Sequence, residues 1–488
     1  MSKNRILGDS IALAAVKIFT MATSIISTMI LSRSLPLTEY GTYSTGNLIY
    51  NTATLLSAFG LIDAVNYYYN GKKTEERSQY INTVFFLFLV CGSAAGIVIL
   101  CCKNLITDYF HNPALGAIYA YIALRPLTSN IGQGLQNLQV SIGKARLCAL
   151  RNAAFSSVKV IAIIITACTT KDIRIIFFSL LVVEAISDVF FYKVLRENGV
   201  SIRPFHADFS KLKEILVFCI PMGIYIQTNS LSRDLDKYVI GFFESTDKLA
   251  IYTNCSTKLP FDLVSGPLLT LLIPLLTTCI KNDDYKNGAQ LFKCYIKIGY
   301  IFTFAFGIGC ISVASQAVEF LYGSQYADGV QLFIIYVIVD MINFISYSLA
   351  LAAKGKTKQL MKVSCLALVA NAIINLLMYK MLGFIGPAFA TVIVTLGVSS
   401  CLLSKSARIL HETVLSLIDW KHVGLYAIES CFLCGLSIII RSVMEQANIH
   451  YLLILVVSGG FFIGSILVLN LKEIKKCFMT LNEINKSA

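Results

Sequence analysis

Residues 81–102 read INTVFFLFLVCGSAAGIVILCC. No Asp, Glu, Lys, Arg or His interrupts the run. A helix rises about 1.5 Å per residue, so this stretch is long enough to cross roughly 30 Å of hydrocarbon. Gly92 and Gly96 lie one turn apart, the spacing of a close helix-packing face; Gly460 and Gly464 repeat it. Basic residues flank the run, with Lys72, Lys73 and Arg77 before it and Lys103 after it.

Comparable runs lie at about 8–32, 42–63, 113–138, 147–169, 173–195, 214–242, 249–276, 290–314, 328–352, 359–380, 383–404, 423–442 and 450–471, predicting about fourteen transmembrane helices in an all-α protein. Composition agrees. Of 488 residues, 56% are hydrophobic and 14% charged, against about 25% charged in a soluble domain. The mean hydropathy is +0.70. Spans two and four are weak, since one holds Asn47, Asn51 and Thr54 and the other Arg125 and the run Gly132–Gln139. Such helices must face protein or a water-filled cavity. The first span runs to Leu31 with Lys17 inside it, longer than a signal-peptide core, which predicts an uncleaved helix. Most of the fifteen cysteines fall in apolar runs and read as free thiols. Cys431 and Cys434 lie mid-span, a poor setting for a metal, and no metal site is expected.

The net charge of +13 has a topological reading. With a cytoplasmic N-terminus, about 26 Lys and Arg fall in inner loops and tails and about 7 in outer loops. This is the positive-inside pattern, and it predicts that both termini are cytoplasmic. No basic stretch is interleaved with aromatics in a loop long enough to bind nucleic acid. No loop exceeds about twenty residues, which excludes a nucleotide-binding domain. The string Gly355-Lys-Thr357 has Ala350 where a phosphate loop needs Gly, so neither ATP nor any cofactor is expected.

Two loops recur. Residues 31–43 resemble residues 240–252, and Gly143-Lys-Ala-Arg146 resembles Gly355-Lys-Thr-Lys358, both about 210 positions apart. The offset predicts two parallel six-helix repeats around a central cavity, at 1–205 and 206–405, with a C-terminal helix hairpin and tail at 406–488.

A charge at a helix centre costs roughly 2.5–3.5 kcal/mol. Arg125, Lys159, Glu184 and Asp340 fall near the midplane, and Lys17, Arg151, Asp188, Lys258, Asp262 and Lys297 lie somewhat off it. Polar stripes at helical spacing accompany them, as in Asn152, Ser156, Lys159 and in Asp340, Asn343, Tyr347. Together they predict a polar central cleft, although any one charge is as readily explained by pairing with a neighbour. Arg125 precedes Pro126, so its helix is expected to open there. Pro260, Pro267 and Pro274 recur every seven residues in span eight, predicting a bend near Pro267 and a hinge for alternating access. Arg233, Asp234, Asp236 and Lys237 can pair among themselves and read as structural.

The run Leu31-Ser-Arg-Ser-Leu35 with Glu39-Tyr-Gly-Thr-Tyr43, then Ala58-Phe-Gly-Leu-Ile62, resembles the polysaccharide (Wzx-type) flippases of the multidrug/oligosaccharidyl-lipid/polysaccharide exporter superfamily. Asp236-Lys-Tyr-Val-Ile-Gly-Phe-Phe243 and Leu249-Ala-Ile-Tyr252 add to the likeness. The resemblance implies a non-enzymatic protein of the bacterial inner membrane. It would flip an undecaprenyl-pyrophosphate-linked O-antigen, capsule or exopolysaccharide unit to the periplasmic leaflet, beside a polymerase and a chain-length regulator. It also implies a cationic cavity. Lys17, Arg125, Arg151, Lys159 and Lys258 are the matching substrate candidates, and Asp340, Glu184 and Asp188 the candidates for coupling to H+ or Na+. The rivals are a multidrug antiporter of the same superfamily, a peptidoglycan-precursor flippase and a membrane-embedded glycosyltransferase. The last lacks its expected large periplasmic loop.

Overall fold

The computed structural model describes the backbone of residues 3–487, and their side chains apart from 3–14, 74, 75, 225, 262, 270, 482 and 485–487. The candidate Asp262 therefore lies outside the described side chains. The described residues contain no strand. The chain divides into two compact units, Met1–Ile251 and Tyr252–Ala488.

The first unit contains α1 (Lys3–Ser34), α2 (Leu37–Ala58), α3 (Leu61–Gly71), α4 (Thr74–Cys101), α5 (Lys103–Tyr109), α6 (Tyr119–Ser141), α7 (Ala145–Thr169), α8 (Ile173–Glu197), α9 (Leu212–Phe243) and the start of α10 (Thr246–Cys255). The second holds the rest of α10, α11 (Asp262–Lys281), α12 (Tyr285–Thr303), α13 (Gly309–Ser312), α14 (Ala314–Tyr322), α15 (Val330–Asn343), α16 (Leu349–Ala353), α17 (Thr357–Leu382), α18 (Gly386–Ile409), α19 (Val414–Leu417), α20 (Trp420–Gln446), α21 (Tyr451–Ile454), α22 (Gly460–Leu469) and α23 (Leu471–Ser487). The helix α9 belongs to the first compact unit, where it packs on α2, α3 and α4.

Eleven described segments are long and apolar enough to cross a membrane, so the protein is a multi-pass membrane protein. One of them, Thr357–Ile409, is 53 residues long, about 80 Å of helix at 1.5 Å per residue. It is two crossings, α17 and α18, turned at Gly383, whose φ is +61°. The polar α6 and the long α9, whose Tyr225 lies outside the described side chains, are not among the eleven. Adding both and counting α17–α18 twice recovers the fourteen expected from the charge alternation.

The weak spans are rescued by protein contacts. On α6, Asn130 donates to Ser57 Oγ of α2 (2.8 Å), Asn137 to the Ile62 carbonyl (3.2 Å), and Gln136 accepts from Asn152 of α7 (3.1 Å). Gly92 and Gly96 meet α6 so closely that a Cβ at Gly96 would fall on the Ala123 carbonyl. Gly460 and Gly464 differ, because nothing would meet a Cβ at either. The repeated spacing is a packing face on α4 only; in α22 the buried contacts come from Phe462 and Ile466.

Span two is two helices. Phe59 (φ 30°) and Gly60 (φ 77°) break it. A Cβ at Gly60 would strike the Cys219 carbonyl region, and one at Gly223 would meet Phe59, so glycine on both sides permits the crossing with α9. Span eight breaks at residues 256–261, around Pro260, while Pro267 and Pro274 lie inside the continuous α11. The interruption is thus nearly two turns before the expected bend at Pro267. Span ten also breaks, at 344–348.

Candidate functional site

In the first unit the candidate site residues lie on α1, α6, α7 and α8. Glu184 and Asp188 are one turn apart on α8 and share a face. Arg125 of α6 donates from Nη2 to Glu184 Oε2 at 3.1 Å. Its guanidinium also lies over the Tyr50 ring, 4.0 Å from the centroid. Arg125 is 7% exposed and Glu184 9%. The Arg125 Nε is buried without a partner. The helix runs unbroken through Pro126 rather than opening there. The sequence's foremost anion candidate is therefore charge-compensated.

Asp188 packs against Gly132, where a Cβ would overlap its carboxylate. Lys159 on α7 lies within its electrostatic reach. Arg151, two turns earlier on α7, covers the Phe190 ring at 5.6 Å and keeps one buried Nη1 unsatisfied. Lys17 on α1, a helix packed along α7, is exposed. Among the candidates on α1, α6, α7 and α8, four cations thus stand against two carboxylates, while on α9 Arg233 and Lys237 stand beside Asp234 and Asp236.

The second unit gathers its features around the two breaks. The Leu259 amide, at the α10–α11 interruption, donates to Asp340 Oδ2 at 2.8 Å. Asp340 thereby satisfies a donor that a continuous helix would have paired internally. Lys258 beside it is exposed and is engaged by other groups. At the second break the Ser346 amide donates to Tyr295 Oη (2.8 Å), and Ser406 Oγ donates to the Tyr347 carbonyl (2.6 Å). Broken helices at membrane depth are tolerated where protein or a cavity meets the freed groups.

Other charges are spoken for. Lys297 pairs with Glu473 (2.5 Å) and Asp419 (3.5 Å), which ties α12 to α23. Lys237 pairs with Asp234 at 2.7 Å, as its spacing suggests. Two contributors left no signal in the sequence. Tyr50 is one of many aromatics, and the break at 344–348, Phe-Ile-Ser-Tyr-Ser, contains neither Pro nor Gly.

The sequence profile described as "Polysaccharide biosynthesis protein" matches residues 30–331. A curated relative, the "Probable lipid II flippase MurJ" of Rickettsia prowazekii (strain Madrid E), is 21% identical over 264 residues, 51% of this chain and 50% of that protein. The chain thus spans about half the length of the curated relative it matches. Among solved structures, "Lipid II flippase MurJ, inward closed conformation" superposes with a TM-score of 0.73 at 15% identity, covering 95% of this chain and 100% of that one. An inward-facing MATE-family multidrug resistance transporter of the MOP superfamily gives a TM-score of 0.65 at 13% identity, over 80% of this chain and 94% of its own. At these identities the likeness establishes the fold: an all-helical membrane protein of the MurJ and MATE type.

Proposed function

The chain belongs to the polysaccharide biosynthesis protein family, and from that premise we propose that it flips a lipid-linked saccharide across the bacterial inner membrane. The observation that carries the reading is the excess of cations over carboxylates among the candidates on α1, α6, α7 and α8. Arg125 is bound to Glu184, while Lys17 is exposed on α1 and Arg151 keeps an unsatisfied guanidinium nitrogen on the adjacent α7. Lys159 completes the set. A pyrophosphate head group is the natural counter-ion for such a cluster, because charge-assisted contacts strengthen at low dielectric. In this reading Arg125, held by Glu184, is not a principal ligand.

Transport runs by alternating access between the two six-helix halves, driven by H+ or Na+. Asp188 is the best-placed coupling carboxylate, since Glu184 and Asp340 already accept hydrogen bonds. The break at Pro260 is the hinge candidate; Pro267 and Pro274 lie inside the continuous helix after it. A polymerase and a chain-length regulator would consume the product. Both termini are cytoplasmic, so reporter fusions at Lys103, Lys171 and Lys380 should read periplasmic; cytoplasmic signals from two of the three would break the arrangement.

The test is deletion of the gene in its host with complementation. Loss of a surface polysaccharide, restored by the intact gene but not by a Lys17→Ala/Lys159→Ala variant of normal abundance, supports the reading. Normal polysaccharide in the deletion strain refutes it. A second reading, flipping of the peptidoglycan precursor, is favoured by the MurJ relative. It predicts lysis on depletion and rescue by an unrelated lipid II flippase.

A further inference from the structure

The helix α3 has two unlike faces. Leu61, Ala64, Val65 and Tyr68 are buried, and they join the core of the first unit. Asp63, Asn66, Tyr67 and Asn70 follow the same i, i+3, i+4, i+7 spacing on the other side. With Gly71 and Lys72 they line an open groove of about 620 Å³. Three features define what the groove accepts.

The first is a fixed aromatic platform. Tyr67 stacks on Phe218, centroids 4.3 Å apart and planes 20° from parallel, and meets Tyr68 edge-on. One face is thereby held while 55% of the side chain stays exposed. The second is an ordered set of amides. Asn66 Oδ1 accepts from Asn70 Nδ2 (2.6 Å) and from Ser141 Oγ (3.0 Å). Those bonds orient Asn66 and do not use its own NH2 or the Asn70 side-chain carbonyl. The third is the removal of positive charge. Lys72 Nζ is drawn to Glu214 at 2.8 Å and to the Tyr80 ring at 4.7 Å.

A groove with a carboxylate, two amides and no uncommitted lysine repels an anionic head group, and it has nothing to offer an acyl tail. Its chemistry suits a neutral polyhydroxylated ring. The amides and Asp63 match neighbouring hydroxyls as paired donors and acceptors, and the electron-rich face of Tyr67 takes the C–H face of a pyranose. We propose that this face of α3 is a saccharide subsite, in which Tyr67 is the stacking platform and Asp63, Asn66 and Asn70 are the hydroxyl partners. The assignment rests on the flippase reading above, and supplies the part of the substrate that the cation cluster does not contact.

The experiment uses the full chain in lipid nanodiscs and two probes. One is the oligosaccharide-bearing polyprenyl pyrophosphate extracted from the host; the other is bare undecaprenyl pyrophosphate. Tyr67→Ala should weaken binding of the sugar-bearing lipid about five- to tenfold and leave the bare lipid unchanged. Tyr67→Phe should bind both as the unaltered protein does. Asn70→Ala, at an exposed position, should lose about threefold for the sugar-bearing lipid alone. If both alanine variants bind the sugar-bearing lipid normally, or if both probes weaken equally, the subsite is overturned while the flippase reading stands. If the unaltered protein binds neither probe, the flippase reading falls and takes the subsite with it.

Discussion

Replacing Arg125 by alanine separates a structural cation from a substrate ligand. The guanidinium lies 3.1 Å from Glu184 and 4.0 Å from the Tyr50 ring centroid. Arg125→Ala leaves the Glu184 carboxylate buried with no counter-charge. Removing one partner of a buried pair costs about 3–5 kcal/mol, and loss of the cation–π contact adds roughly 0.5–2 kcal/mol. Against a typical domain stability of about 5–15 kcal/mol, that is a severe loss. The expected result is low abundance in membranes and a clearly lowered melting temperature in detergent. Arg125→Ala with Glu184→Gln should regain much of both, because the stranded charge is gone. Arg125→Lys should fall between, since an ammonium keeps the charge but not the planar fork. Abundance and fluorescence-detected melting measure all three. If Arg125→Ala protein accumulates and melts like the unaltered protein but no longer binds bare undecaprenyl pyrophosphate, the pairing argument fails and Arg125 is a head-group ligand.

Three further outcomes follow from local geometry. Asp340→Ala removes the acceptor of the Leu259 amide and should destabilise the detergent-solubilised protein by about 1–3 kcal/mol, with Asp340→Asn milder because its carbonyl can accept; equal melting of the two variants would refute the capping role. Gly60→Ala places a Cβ against the Cys219 carbonyl at φ +77°, costing at least about 1–2 kcal/mol, so normal abundance of that variant would disprove the close crossing with α9. The Lys297 ammonium holds the Glu473 carboxyl below the usual carboxylate range. Its stabilisation is therefore complete above the unfolded value of about 4.3 and is lost as pH falls through the lowered folded value. Hydrogen exchange across 471–487 should stay slow at neutral pH and rise selectively in acid; uniform protection throughout would contradict the tether.

Most of the fold was legible because the bilayer imposes a length on every crossing. Residues 81–102 could be read in isolation, and the polar α6 was supported by the alternation of loop charges. What stayed hidden depends on tertiary contacts. Gly92 and Gly460 open identical spacings, yet only the first meets a backbone closely, since α6 presents Ala123 and Leu127 there. The break in span eight falls at Pro260 rather than Pro267 because Asp340 waits beside it to receive the Leu259 amide. The break at 344–348 is held by the Tyr295 hydroxyl and Ser406, residues about 50 and 60 positions away that no local pattern points to.

The site was legible as a list of charges and not as a division of labour. Arg125, Lys159 and Arg151 look alike in sequence, each a cation amid apolar residues. Their difference lies in what α8 places opposite them. Glu184 takes Arg125, and Asp188, one turn on, packs on Gly132 within the field of Lys159. Since α8 offers two carboxylates to the four candidate cations on α1, α6 and α7, that set by itself stays positive. Such an excess is costly in a low-dielectric interior, and each unsatisfied nitrogen, as on Arg151, adds to it. On the proposed function that cost is relieved when an anionic head group arrives, so the same imbalance that destabilises the empty unit favours the loaded one.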